Sequence, residues 1–149
     1  MSDALNLLRE LISIDSVNPS LVAGAAGEEN VAKAVAAHMR ESGMDVVVED
    51  VAPGRQNVVG VLEGRSAGRS LMLCGHSDTV GVKGMDSPFD PIERDGRMFG
   101  RGSGDMKGGV AAMLAAARTL AREGWDKGRL LVAAVVDLSL IHISEPTRH

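Results

Sequence analysis

Cysteine and aromatic residues are nearly missing from this chain. Its 149 residues include one cysteine, Cys74, so no internal disulfide can form and nothing points to an oxidising compartment. Only 2% of the residues are aromatic and tyrosine is absent. The core must therefore be built from Ala, Val, Leu and Met, which suits a sheet covered by alanine-rich helices.

Excess positive charge and long apolar runs are missing too. The net charge of −4 argues against a nucleic-acid or anionic-membrane surface, because such surfaces need clustered Lys and Arg. No apolar run approaches the length of a membrane span, and the first residues lack the basic flank and apolar block of a signal peptide. We therefore expect a cytoplasmic protein without a nucleic-acid or membrane partner.

Helix and strand signals alternate along the chain. Helical periodicity predicts three helices, at about residues 3–14, 28–42 and 107–123. Apolar and β-branched runs predict strands at 44–51, 57–62, 70–74 and 129–136, with a short hairpin at 91–100. The continuous apolar run at 129–136 is typical of a central strand. The sequence therefore predicts an α/β fold with a mixed, largely parallel sheet flanked by helices.

A polar triplet follows Gly75, at the point where the third predicted strand would reach the rim of the sheet. In an extended segment residues i and i+2 point to the same side, so His76 and Asp78 are expected to lie together. Asp78 can then accept a hydrogen bond from the ring of His76, which fixes the tautomer and raises the basicity of the nitrogen that faces a metal. The pair alone is a weak signal, and without further motifs a surface His–Asp pair on a loop would be the favoured interpretation.

Asp105 lies in the glycine-rich segment 100–109, which opens the third predicted helix. Five glycines in ten residues permit unusual backbone angles, at an entropic cost that a plain loop does not need. A carboxylate there can bind a cation. A phosphate cradle is the alternative, but the glycine spacing matches neither common phosphate motif and Asp105 would repel the anion. A helix-capping aspartate is a third interpretation.

Five short motifs follow one another along the chain: GHSDTV at 75–80, PF at 88–89, DGR at 95–97, GRG at 100–102 and DMKGG at 105–109. In their order and spacing they resemble the motifs of the M20 metallopeptidase and amidohydrolase family. The resemblance runs from about Leu5 to Asp137. It implies a hydrolase with two zinc ions, or Co²⁺ in their place, that cleaves an amide bond in a small N-acyl amino acid or peptide.

The resemblance also implies roles for three residues. His76 matches the histidine ligand of one metal, Asp105 matches the carboxylate that bridges both metals, and Asp78 matches the catalytic-site acid that orients His76. The family tends to carry a cis peptide bond directly after the bridging aspartate, which makes the bond between Asp105 and Met106 the candidate here.

The chain departs from the family pattern directly after Asp137. At this point the family has two adjacent glutamates, one a general base and the next a metal ligand, whereas this chain has Leu138 and Ser139. Leucine can neither accept a proton nor bind zinc, and serine is a poor substitute. We therefore expect negligible hydrolysis and weak zinc binding from the chain as given.

Residues 138–149, LSLIHISEPTRH, have no helix or strand period and look like a translated sequencing adapter. We expect this segment to be a non-native tail, and His142 and His149 within it are not expected to replace the missing ligands. Residues 1–137 are then a partial M20-like catalytic domain, and the family's lid or dimerisation domain is absent. A homodimer stays open for the intact protein.

Two other classes of function stay open. A non-catalytic α/β binding module would use the glycine-rich segment to hold an anion. A dinucleotide-dependent oxidoreductase is the third class, and the lack of a correctly spaced glycine fingerprint after the first strand counts against it. Among the three, the motifs favour the N-terminal half of a zinc-dependent amide hydrolase.

Overall fold

Residues 3–137, which this computed structural model describes, form three α-helices and six strands. The helices are α1 (Asp3–Ser13), α2 (Glu29–Glu41) and α3 (Gly108–Glu123). The strands are β1 (Asp45–Ala52), β2 (Arg55–Glu63), β3 (Leu71–His76), β4 (Ile92–Arg94), β5 (Arg97–Phe99) and β6 (Arg129–Val135). The predictions made for Leu138–His149 lie outside the described residues.

The helices bury stripes of small and medium apolar side chains. Val31, Val35 and Met39 repeat at i, i+4 and i+8 on α2 and are all but fully buried against β2, and α3 contributes Val110 and Leu114 to the same core. Helix α1 packs mainly on α3. Among the described helices, none has the length and apolarity that crossing a membrane requires.

The main sheet has the strand order β1-β2-β6-β3. Strands β1 and β2 form an antiparallel pair, β6 runs antiparallel to β2, and β3 runs parallel to β6. The continuous apolar run predicted to be central is β6, which pairs on both edges and buries Leu130, Val132 and Ala133. The core is therefore built around the strand with the most uniform apolar sequence.

The α/β class and the mixed sheet are confirmed, but the sheet is mostly antiparallel rather than largely parallel. Strands β1 and β2 are joined by the two-residue turn at Pro53 and Gly54, and so short a connection permits only antiparallel pairing. The segment between β3 and β6, which includes α3, is long enough for a parallel crossover. The length of the connections therefore explains why the prediction of a largely parallel sheet, which rested on the apolar runs alone, is wrong.

The fold brings the functional motifs to one edge of the sheet. Strand β3 extends through His76, two residues beyond the prediction, because its pairing with β6 continues to Val135. Strands β4 and β5 form the predicted small hairpin. An irregular turn over Ser103–Lys107 then leads into α3 and returns the chain to the end of β3.

Candidate metal centre

His76 is the last residue of β3 and lies where that strand leaves the sheet. Its backbone is fixed by pairing with Val135 and by the next hydrogen bond, from the N–H of Ser77 to the carbonyl of Val135 at 2.9 Å. The residue is 5% exposed. Ring Nδ1 lies 3.0 Å from the backbone carbonyl oxygen of Asp78 and 3.3 Å from its carboxylate Oδ1. Both neighbours are acceptors, so Nδ1 carries a hydrogen and Nε2 faces away from them.

Asp105 reaches His76 from the glycine-rich turn. Its Oδ1 lies 2.8 Å from Nε2 of His76, although the two residues are separated by 29 positions in the sequence. In the part of the chain that the structure describes, the side chain of Asp105 is 83% exposed. The Asp105–Met106 peptide bond is cis, as the family resemblance implied. The structure thus brings together the two residues predicted to be metal ligands.

Two contacts hold the glycine-rich turn against the rest of the fold. Gly102 has φ +80°, and a Cβ there would lie 2.8 Å from Cγ2 of Thr79, so the close approach requires glycine. Lys107 is 1% exposed and its Nζ donates to the carbonyl oxygen of Ile14 at 2.6 Å. Burial lowers the pKa of Lys107 to about 8, against the opposing charge of Asp15. Lys107 therefore ties the glycine-rich turn to the residue that follows α1.

Asp78 is held on both carboxylate oxygens. It is 2% exposed, and its Oδ2 accepts a hydrogen bond from Nδ2 of Asn18 at 3.0 Å. Its Oδ1 accepts the backbone N–H of Asp137 at 3.1 Å, on the residue that follows β6 by two positions. The acid beside His76 is therefore clamped by the segment after α1 on one side and by the end of the central strand on the other.

The charges of this cluster shift the pKa values of its members in opposite directions. The hydrogen bond to the side chain of Asp78 and the carboxylate of Asp105 raise the pKa of His76 to about 9, although burial opposes the shift. Burial disfavours the ionised form of Asp78, but hydrogen bonds from His76 and Asn18 outweigh it and lower the pKa of that carboxyl. The two carboxylates therefore favour the protonated form of the His76 ring.

A cavity of about 150 Å³ lies between the end of β3 and the glycine-rich turn. It is lined by His76, Asp78, Thr79, Val80 and residues 100–105. Among the described residues, the buried Oγ1 of Thr79 and Nε of Arg101 have no hydrogen-bond partner. A small polar cavity of this kind suits an ion with its water molecules better than an apolar ligand.

Comparison with known proteins identifies the family. Residues 72–137, which include every residue predicted for the site, match the profile of Peptidase family M20/M25/M40. An N-formyl-4-amino-5-aminomethyl-2-methylpyrimidine deformylase from Bacillus subtilis (strain 168) is 33% identical over 141 residues, which are 90% of this chain and 32% of the deformylase. The chain belongs to the M20 peptidase family.

Further similarities agree with that assignment. An acetylornithine deacetylase from Vibrio atlanticus (strain LGP32) is 34% identical to the M20 chain over 126 residues, which are 83% of this chain and 32% of the deacetylase. An M20 family metallo-carboxypeptidase from Sulfolobus solfataricus has the same fold, with a TM-score of 0.78 at 19% identity over 94% of this chain and 32% of its own. The M20 chain spans about a third of the length of these relatives.

His76 and Asp105 offer donor atoms of the kinds that a metal ion binds. An imidazole nitrogen and a carboxylate oxygen are donors that zinc accepts, and the ring hydrogen on Nδ1 is directed at Asp78 as a metal-bound histidine requires. Within residues 3–137, no cluster of three or more His, Cys, Asp or Glu side chains is placed to hold a metal.

The sequence did not predict the roles of the residues that contact Asp78, Asp137 and the glycine-rich turn. Asn18 and Arg55 lie outside all five motifs. Lys107 belonged to a recognised motif but received no role. Arg55 is 7% exposed and Asn18 fully buried. No spacing rule links them to His76, because their contacts join positions far apart in the chain; a buried arginine can be recognised only once its partners are known.

Proposed function

We propose that this chain supplies one side of the metal centre of a longer M20 enzyme, which hydrolyses an amide bond in a small N-acyl amino acid or peptide. One observation supports this most directly: Nε2 of His76 and Oδ1 of Asp105 converge at 2.8 Å while Nδ1 of His76 is bound to Asp78. A ring oriented in this way places Nε2 next to the carboxylate oxygen of Asp105.

His76 and Asp105 would hold the metal, with Asp105 as the candidate bridge between two zinc ions. Bound zinc supplies Lewis acidity toward a carbonyl oxygen and lowers the pKa of a water molecule. Asp78 keeps the hydrogen of His76 on Nδ1, so that Nε2 stays available to the metal. Lys107 and Gly102 hold the turn of Asp105 at the sheet edge.

The substrate class rests on the names of the relatives. The deformylase and the deacetylase are both named for the removal of a small acyl group, and the structural relative is named as a carboxypeptidase. The bond that these reactions share is an amide. A small N-acyl compound or a peptide is therefore the substrate class that we propose for the longer enzyme.

The chain as given should hydrolyse such substrates poorly. Leu138 and Ser139 follow Asp137 where the family resemblance expects a general base and a further ligand. We expect no N-acetyl amino acid hydrolysis above the rate in buffer, measured with the purified 149-residue chain and Zn²⁺. Hydrolysis that disappears in His76→Ala would contradict this expectation.

Metal binding by the chain tests the proposed centre. We propose Co²⁺ titration, followed by its visible absorption, in a background that carries His142→Ala and His149→Ala so that the tail cannot bind the ion. We expect weak binding that His76→Ala and Asp105→Asn each weaken by more than about ten-fold. Binding that is equal in all three proteins would overturn the proposal.

His38→Ala provides a matched control. Nε2 of His38 lies 2.8 Å from Oε2 of Glu10, so this is another histidine–carboxylate pair in the described residues, placed away from the candidate centre. Its loss should leave Co²⁺ affinity within about two-fold of the parent value, since each ordinary surface pair contributes little.

A further inference from the structure

A buried polar network connects the candidate centre to Asn18 and Arg55, which lie outside the five motifs at 75–109. Asn18 is fully buried, and its single Nδ2 donates one hydrogen to Oδ2 of Asp78 at 3.0 Å and the other to Oδ1 of Asp137 at 2.5 Å. Its own Oδ1 accepts the N–H of Ser20 at 2.8 Å. One amide therefore bridges the carboxylates of Asp78 and Asp137.

Arg55 binds the second of these carboxylates, that of Asp137, through its guanidinium. Its Nη1 and Nη2 donate to Oδ2 and Oδ1 of Asp137 at 2.8 and 2.7 Å. Its Nε and Nη2 donate to Oε2 and Oε1 of Glu28 at 3.0 and 2.8 Å, and Nη1 also donates to Oγ of Ser20 at 3.0 Å. All five N–H groups of the guanidinium are used, which leaves the side chain a single arrangement.

The backbone at the end of β6 completes the link. Asp137 has φ +59°, a left-handed conformation that is unusual for a residue other than glycine, and its N–H donates to Oδ1 of Asp78. The preceding N–H, of Val136, donates to Oδ1 of Asn57 at 2.9 Å. Asp137 thus contacts Asp78 in two ways: its carboxylate through the amide of Asn18, and its backbone N–H directly.

We propose that Asn18 and Arg55 are positioning residues for the imidazole of His76. Asn18 and Asp137 hold the carboxylate of Asp78, Asp78 holds Nδ1 of His76, and Arg55 with Glu28 holds Asp137. Neither Asn18 nor Arg55 is among the residues that would hold the metal. This inference rests on the proposed function only in taking Nε2 as a ligand of a divalent metal. The orientation of the ring is a property of the protein alone.

The first readout is the imidazole itself, in the metal-free 149-residue chain. Asn18→Leu keeps the approximate shape of the side chain and removes both donors. We expect the ring ¹⁵N and carbon-bound ¹H shifts of His76 to move while those of His38 stay unchanged. Unchanged His76 shifts in a variant with wild-type circular dichroism would overturn the inference, whatever the chain does with metals.

The second readout is Co²⁺ affinity in the same background without tail histidines. We expect Asn18→Leu to weaken binding by about ten-fold or more, the usual effect of losing a residue that orients a ligand. Val35 lies in the core between α2 and the sheet, outside the polar network. Val35→Ala should therefore lower the stability of the chain but leave its Co²⁺ affinity within about two-fold of the parent value. Equal losses in both variants would assign Asn18 a purely structural role and overturn the inference.

Arg55→Lys tests how far the network extends. Lysine keeps the positive charge but cannot engage Glu28 and Asp137 with paired hydrogen bonds. We expect a shift of the His76 ring signals in the same direction as in Asn18→Leu, but smaller. No shift at all would remove Arg55 from the inference. A chain that binds no metal but shows both ring shifts would refute the proposed function and retain the positioning roles.

Discussion

Arg55 and Glu28 form an ion pair, with Nη2 2.8 Å from Oε1, in which the arginine side chain is 8% exposed and the glutamate side chain is fully buried. The next residue, Glu29, also pairs with a cation, Lys33, but both of those side chains are largely exposed. Two adjacent glutamates of the same helix boundary thus make ion pairs in opposite environments. Their comparison separates the effect of burial from the effect of charge.

Glu28→Ala should lower the free energy of unfolding by about 1–3 kcal/mol, because it leaves two N–H groups of the buried guanidinium of Arg55 without an acceptor while Asp137 still balances the charge. Glu29→Ala should cost less than about 1 kcal/mol, since an exposed pair at i, i+4 contributes little. Urea unfolding followed by circular dichroism measures both. Similar losses in the two variants would mean that the buried pair is not a structural anchor.

The stability of the metal-free chain should fall as pH rises from 6.5 to 8. His76 has a pKa of about 9 in the folded chain, above its ordinary value of 6.5, so its stabilising contribution is complete below pH 6.5 and is lost toward pH 9. The expected loss between pH 6.5 and 8 is about 1.5 kcal/mol. Urea unfolding in EDTA should show this slope in the parent chain and not in His76→Gln; equal slopes would contradict it.

Lys107 should give the opposite slope at higher pH. Its pKa is lowered to about 8 from 10.5, so between these values the unfolded chain binds more protons than the folded one and stability rises with pH. The expected gain is about 2–3 kcal/mol across that window. Lys107→Met loses the hydrogen bond to Ile14 at every pH and should lack the gain. A stability difference between the two proteins that does not change with pH would refute the shift.

Two glycines of the same turn should respond differently to alanine. Gly102→Ala should destabilise the chain by about 2–4 kcal/mol, because φ is +80° and the new Cβ would lie 2.8 Å from Thr79. Gly104→Ala should change stability by less than about 0.5 kcal/mol, since nothing lies within 4 Å of its Cβ position and its φ is not positive. Thermal unfolding distinguishes the two, and equal effects would argue against close packing of the turn.

Most elements were predictable because their signals are local. The stripe of Val31, Val35 and Met39 and the apolar run of β6 each specify an element within a single window of sequence. Strand direction was not predictable in the same way. It depends on the length of the connections, and the two-residue turn between β1 and β2 sets the antiparallel hairpin on which the rest of the sheet is built.

At the candidate centre, the sequence predicted the residues but not what holds them. The proximity of His76 and Asp78 follows from a strand period of two, whereas the approach of Asp105 depends on the family resemblance. The network of Asn18, Arg55 and Glu28 has no such signal, because it joins three segments through side chains alone. The metal-ligand roles of His76 and Asp105 stay predictions that the Co²⁺ titrations test.

The position of β6 has a consequence for synthesis of the chain. In the described sheet, β3 pairs only with β6, and β6 is also the strand that joins β3 to the hairpin of β1 and β2. On a ribosome, β3 therefore leaves the exit tunnel well before the strand that completes it. Until residues 129–135 follow, the segment that carries His76 is an unpaired edge, open to association with other nascent chains.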